Sequence, residues 1–113
     1  MLSFWETYAV RSLEDRLQPL GLEGREGPAE RFEQTTIRLD DVAEDSAFYR
    51  AGVRAGDELV EVDGEPFFIG GGLDELRSWL VRELDETPRE LSVLIRRGGQ
   101  EQKLIATLSL QPF

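Results

Sequence analysis

The sequence predicts an α+β domain, and three observations carry that reading. Short runs alternate apolar with polar residues in the manner of strands, around Ile37 and Leu39, over Glu58–Val62, and in two runs near the end of the chain. Between them a leucine stripe with helical spacing joins Leu73, Leu76, Leu80 and Leu84. Turn-forming glycines separate these segments, at Asp63-Gly64, Gly70-Gly71-Gly72 and Gly98-Gly99.

The first 20 residues read as a helical extension. Phe4, Trp5 and Tyr8 share one face, and Leu13, Leu17 and Leu20 recur at i, i+4, i+7. Ser12 with Asp15 resembles a capping box, and Pro19 with Gly21 stops the helix near Gln18. Phe4, Trp5 and Tyr8 are too apolar for a free tail, so they cover a sheet edge, a groove or a neighbour. Residues 23–34 are polar and hold two glycines and a proline, which reads as a loop. The expected division is therefore residues 1–34 as extension and loop, and residues 35–113 as the domain core.

Within that core, residues 35–42 are read as one strand. Asp45-Ser46 can cap a short helix through Ala47–Ala51, with Gly52 as a left-handed terminator. Gly56-Asp57 turns into the strand Glu58–Val62, and Asp63-Gly64 turns again into a short strand at 66–69. The helix expected over 73–84 carries Asp74 and Glu75 in its first turn, where they complement its dipole, and Pro88 closes the segment. Leu91, Val93 and Ile95, then Leu104, Ala106, Leu108 and Leu110, form a closing hairpin about the turn Arg96-Arg97-Gly98-Gly99.

Composition bounds the function. A chain of 113 residues, 40% hydrophobic and 32% charged, suits one globular domain. No apolar run approaches the roughly 20 residues that span a bilayer. The start, Met1-Leu2-Ser3-Phe4-Trp5-Glu6, lacks the basic stretch of a signal peptide. A net charge of −10, from 23 acidic and 13 basic residues, repels phosphate backbones and anionic membranes, so neither nucleic acid nor membrane is an expected partner. The chain has neither Cys nor His, which removes thiolate zinc sites, His-dependent triads and imidazole acid–base catalysis. No cofactor, metal or catalytic residue is expected. Asp40, Asp41, Glu44 and Asp45 lack the ligand spacing of a calcium loop and read as a solvated acidic face. Gly70-Gly71-Gly72 is followed by no Lys-Ser or Lys-Thr, so it is a flexible helix entry and not a phosphate cradle.

The stretch from Val42 through Ser46-Ala47-Phe48, Ala51-Gly52-Val53, Gly56-Asp57, Leu59 and Val62-Asp63-Gly64 closely resembles the PDZ domains of bacterial proteases, across residues 35–110. Ala47 stands where that pattern usually has Pro and Phe48 where it usually has Ala. The resemblance implies a partly open antiparallel β-barrel of five or six strands with a short and a longer flanking helix. Phe4-Trp5, Tyr8 and Leu20-Gly21-Leu22 are similar to the segment that precedes the PDZ domain of glycyl-aminopeptidase-like metallopeptidases, although Arg11-Ser12 replaces an expected glycine region.

That resemblance implies a non-catalytic module that binds a peptide or protein C-terminus, or an extended segment, as an accessory of a bacterial protease. The peptide would add as a strand, with its carboxylate taken by backbone amides of a Φ-G-Φ loop. Leu20-Gly21-Leu22 is the candidate loop; the other reading makes Gly21 a helix cap and both leucines core. The facing helix offers Leu73, then Arg77 one turn on, with Leu80 deeper, and Leu73 favours an apolar ligand side chain. The alternative function is a docking element that packs on a catalytic domain of the same polypeptide and takes no free peptide.

Overall fold

The structure, a computed structural model, describes residues 16, 17 and 19–111. The expected faces at Phe4, Trp5, Tyr8 and Leu13, and the capping box at Ser12, lie outside the described residues. Arg16 is helical, and Leu17 forms an antiparallel bridge to Leu110.

The described residues form an open antiparallel sheet of seven strands with two flanking helices. The strands are β1 (Leu22–Glu26), β2 (Gln34–Thr35), β3 (Ile37–Val42), β4 (Glu58–Val62), β5 (Glu65–Phe68), β6 (Arg89–Arg97) and β7 (Gln100–Leu108). The helices are α1 (Ala47–Ala51) and α2 (Gly72–Glu83). β4 is the hub. Its first half pairs with β3, its second half with β5, and its opposite edge with β6, which pairs in turn with β7.

The count exceeds the expected five or six for two reasons. The segment 35–42 is not one strand: Thr35 pairs with Phe67 of β5, whereas Ile37 pairs with Leu59 of β4. Thr36 is the pivot, its hydroxyl donating to Glu58 Oε2 at 3.0 Å and its carbonyl accepting from Gly27 N at 2.8 Å. Part of the expected 23–34 loop is also sheet. Residues Leu22–Glu26 form β1, antiparallel to β3 from Leu22↔Val42 to Glu26↔Ile37, with a bulge that leaves Asp40 unpaired. A 3-10 turn at Arg31–Glu33 follows before β2.

The turns and caps expected from sequence organise the rest. Ser46 Oγ accepts from Tyr49 N at 3.1 Å, capping α1, and Gly52 ends it at φ +110°. Asp63-Gly64, both with positive φ, joins β4 to β5, and Gly98-Gly99 joins β6 to β7 in the same conformation. α2 begins one residue before the expected Leu73, and Leu84 is its extended C-cap. The inward faces of β3, β4 and β6 meet Phe48 from α1 and Leu76 and Leu80 from α2 in one core; Phe48, Leu59, Leu80, Leu91, Val93 and Ile95 are fully buried. Burial at this level is worth roughly 1.5–3 kcal/mol for each large side chain.

Candidate functional site

β1 lies at the end of the strand order and, among the described residues, pairs on one edge only. Its other edge carries amides and carbonyls able to take an added strand. Leu22, Gly24 and Glu26 stand on the inner face with their partners Val42, Leu39 and Ile37, while Glu23 and Arg25 point outward.

The entry to β1 is unusual backbone. Pro19 is exposed, Leu20 turns into the core, and Gly21 sits at φ +70° with its carbonyl accepting from Ala43 N at 2.7 Å. A Cβ at Gly21 would lie 2.7 Å from Ser46 Cβ and 2.8 Å from Ala43 Cβ. Glycine is thus required for conformation and for space. Leu17, four residues before it, is bridged to Leu110. Among the described residues, the amides of Leu20 and Gly21 donate no hydrogen bond.

α2 packs beside β1 and runs in the opposite direction. At its start, Gly70 N donates to Glu26 Oε1 at 2.8 Å, and a Cβ at Gly72 would meet the same oxygen at 3.7 Å. Just past its end, Asp85 O accepts from Leu110 N, and Leu110 bridges Leu17, three residues before Leu20. The helix axis therefore spans from the Glu26 end of β1 back to the Leu20 end. Leu73, Arg77 and Leu80 fall along one flank at i, i+4, i+7: Leu73 half-buried, Arg77 exposed, Leu80 fully buried in the core. The opposite flank, with Leu76 and Trp79, lines a cavity of about 80 Å³ against Pro66 and Phe67 of β5.

Residues 38–97 match the PDZ domain family. The chain belongs to that family. No curated protein sequence matches it. Among solved structures, this PDZ domain is similar to an HtrA-type protease, AlgW, with a decapeptide (TM-score 0.64, 22% identity, 86% of this chain and 30% of that one). It is also similar to an aminopeptidase N family protein from Idiomarina loihiensis (TM-score 0.62, 18% identity, 86% of this chain and 14% of that one). A third similar structure is the HtrA3 PDZ domain bound to a phage-derived ligand, FGRWV (TM-score 0.51, 18% identity, 96% of this chain and 77% of that one). The chain thus spans less than a third of the AlgW chain and a seventh of the aminopeptidase chain.

In this PDZ domain the six residues singled out from sequence lie on two neighbouring segments. Leu20, Gly21 and Leu22 form the entry to β1, and Leu73, Arg77 and Leu80 lie along α2, which packs beside that strand. Leu20 and Leu80 are buried in the core, whereas Leu22 and Leu73 are half-buried and Arg77 is exposed. Sequence reasoning passed over Gly24 and Glu26, whose signal was the alternate-residue spacing after Leu22. A Cβ at Gly24 would collide with the Arg38 carbonyl oxygen, so glycine is required where β1 passes the bulge. Among the described residues no group of three or more carboxylates is placed to hold a metal ion.

Proposed function

We propose that this PDZ domain captures the carboxyl end of a peptide, which adds as an antiparallel strand to the open edge of β1. The observation that carries this reading is the pairing of that edge with the left-handed Gly21, whose amide and that of Leu20 are without acceptors among the described residues. Two such donors at the head of an edge strand suit a terminal carboxylate, while main-chain bonds along β1 supply the rest of the affinity. The terminal side chain falls beside Leu22 and prefers to be apolar. In a larger polypeptide the domain serves a bacterial protease as its accessory module; the likeness to protease structures, one of them with a decapeptide, supports this.

The experiment is a titration of C-terminal peptides and their amidated counterparts against the folded domain. Free carboxylates bind with dissociation constants on the order of micromolar, and amidation removes most of the binding. The net charge of −10 weakens acidic peptides at low ionic strength, and added salt restores them. Equal binding of free and amidated peptides, or none below millimolar, leaves the domain as a docking element on a catalytic domain.

A further inference from the structure

We propose that this domain pairs weakly with a second copy of itself through the β2–β5 end of the sheet, the Phe32 ring of each copy entering a cavity beside α2 of the other. Among the described residues four large apolar side chains stand exposed, and three of them, Phe32, Phe68 and Ile69, lie at this end. Gln34 pairs with Phe68, and Ile69 N donates to Glu33 O at 3.0 Å, so the turn that carries Phe32 is stitched to the end of β5.

The backbone holds Phe32 out. The residue is 85% exposed and sits at φ +57°, a left-handed conformation that bulky side chains rarely adopt, and Glu33 follows at φ +62°. The turn is closed on itself: Gln34 N donates to Arg31 O, and Glu30 N donates to Gln34 O at 2.6 Å. Asn, which takes up that backbone more readily, would also expose less apolar surface. Phe32 therefore costs the monomer stability on two counts. A contact with another molecule offsets both.

The receiving site begins at Phe68, which lines the cavity of about 80 Å³ between β5 and α2, where Phe67, Leu76 and Trp79 give an apolar wall. That volume suits the edge of one aromatic ring and nothing much larger. The charged side chains around the cavity are Glu65, Glu75 and Arg82, and those flanking Phe32 are Arg31 and Glu33. None of these five makes an ion pair among the described residues. The two sets are complementary: Arg31 answers Glu65 and Glu75, and Glu33 answers Arg82. Because ring and cavity meet at Phe68, a two-fold axis beside that residue sets each Phe32 against the other copy's cavity, and every contact is made twice. An unrelated partner need match only one of the two halves, whereas a second copy matches both. β1 and β2 stand at opposite ends of the strand order, so the peptide-accepting edge stays open in the pair.

Sedimentation equilibrium from about 10 micromolar to about 1 millimolar, with enough salt to screen the −10 charge of each copy, tests this. A monomer–dimer equilibrium is expected, with a dissociation constant on the order of 100 micromolar. Phe32→Asn should raise that constant at least about ten-fold, while the denaturation midpoint of the dilute monomer stays equal or rises. Glu33→Arg and Arg82→Glu, both at exposed positions, should each weaken pairing, and the double variant should regain most of it. A monomer at every concentration overturns the inference. So does a dimer indifferent to Phe32→Asn, or a double variant no better than the weaker single one. Peptide binding by Phe32→Asn should equal that of the unsubstituted protein; its loss would place Phe32 in the peptide site and overturn the inference as well.

Discussion

The Asp57 carboxylate and the Arg97 guanidinium meet in a two-point pair, Nε to Oδ1 and Nη2 to Oδ2, both at 2.8 Å. Asp57 is buried and Arg97 half-exposed, and Asp57 Oδ2 also accepts from Arg54 N at 2.8 Å. Nη2 of Arg97 donates in addition to Gly52 O at 2.8 Å. One carboxylate thus ties the turn after α1 to the end of β6, 40 residues later in sequence.

Burial raises the Asp57 pKa, but the Arg97 hydrogen bond, the Arg54 amide and the nearby positive charges outweigh it and hold the carboxyl below its usual value. A depressed folded-state pKa stabilises the protein above the unfolded value of about 3.9, and that contribution is lost as pH falls through the folded one. Asp57→Asn should cost about 1–3 kcal/mol at pH 7, the range for hydrogen bonds to charged groups. Its urea midpoint should converge on that of the unsubstituted protein as pH drops below about 4. An unchanging gap at both pH values would show that the charge contributes nothing.

Gly52→Val should destabilise the domain by about 1–3 kcal/mol through the backbone alone. The residue sits at φ +110°, yet an added Cβ comes no closer than 3.6 Å to Leu104, an ordinary contact. Gly52→Ala should therefore recover part of the loss by relieving β-branching. Denaturation midpoints of the two variants check this.

Two left-handed glycines separate strain from crowding. Gly64, at φ +81°, has nothing within 4 Å of an added Cβ, whereas Gly21, at φ +70°, has two carbons within 2.8 Å. Gly21→Ala should lose more stability than Gly64→Ala, by at least about 1 kcal/mol. Equal midpoints would mean that the Ala43 and Ser46 side of the turn yields freely. Because Gly21 carries the fold in this way, its substitution is a poor probe of ligand binding, and peptide amidation is the cleaner one.

The isolated chain should bind no stoichiometric zinc and hydrolyse no peptide library. Without His or Cys, only carboxylates and carbonyls remain as ligands, a poor set for zinc. Elemental analysis after dialysis, and turnover assays on repurified protein, test the two halves separately.

Local chemistry made most of the fold readable. Ser46 and Gly52 bracket α1 because each answers a need of the helix end itself, and the two positive-φ turns needed only their own residues. What escaped depends on partners far away in sequence. β1 hid because its inner positions read Leu22, Gly24, Glu26, so the strand shows no apolar alternation. The break at Thr36 carries neither Gly nor Pro and is fixed by Gly27 and Glu58. Asp57 was expected to serve its own turn and does, through Arg54 N, but nothing local announced Arg97. The Leu73–Arg77 spacing was visible from helical period, whereas the approach of the helix entry to the end of β1 depends on the Gly70–Glu26 hydrogen bond, 44 residues apart in sequence.

The Leu17–Leu110 bridge has a mechanical meaning. Beside it Gln111 N donates to Arg16 O at 2.7 Å, and Arg16 Nε donates to Gln111 O at 2.7 Å. The chain passes into and out of the sheet at one knot. A pull applied between residues 16 and 111 loads that knot, with its two buried leucines, before it reaches β4.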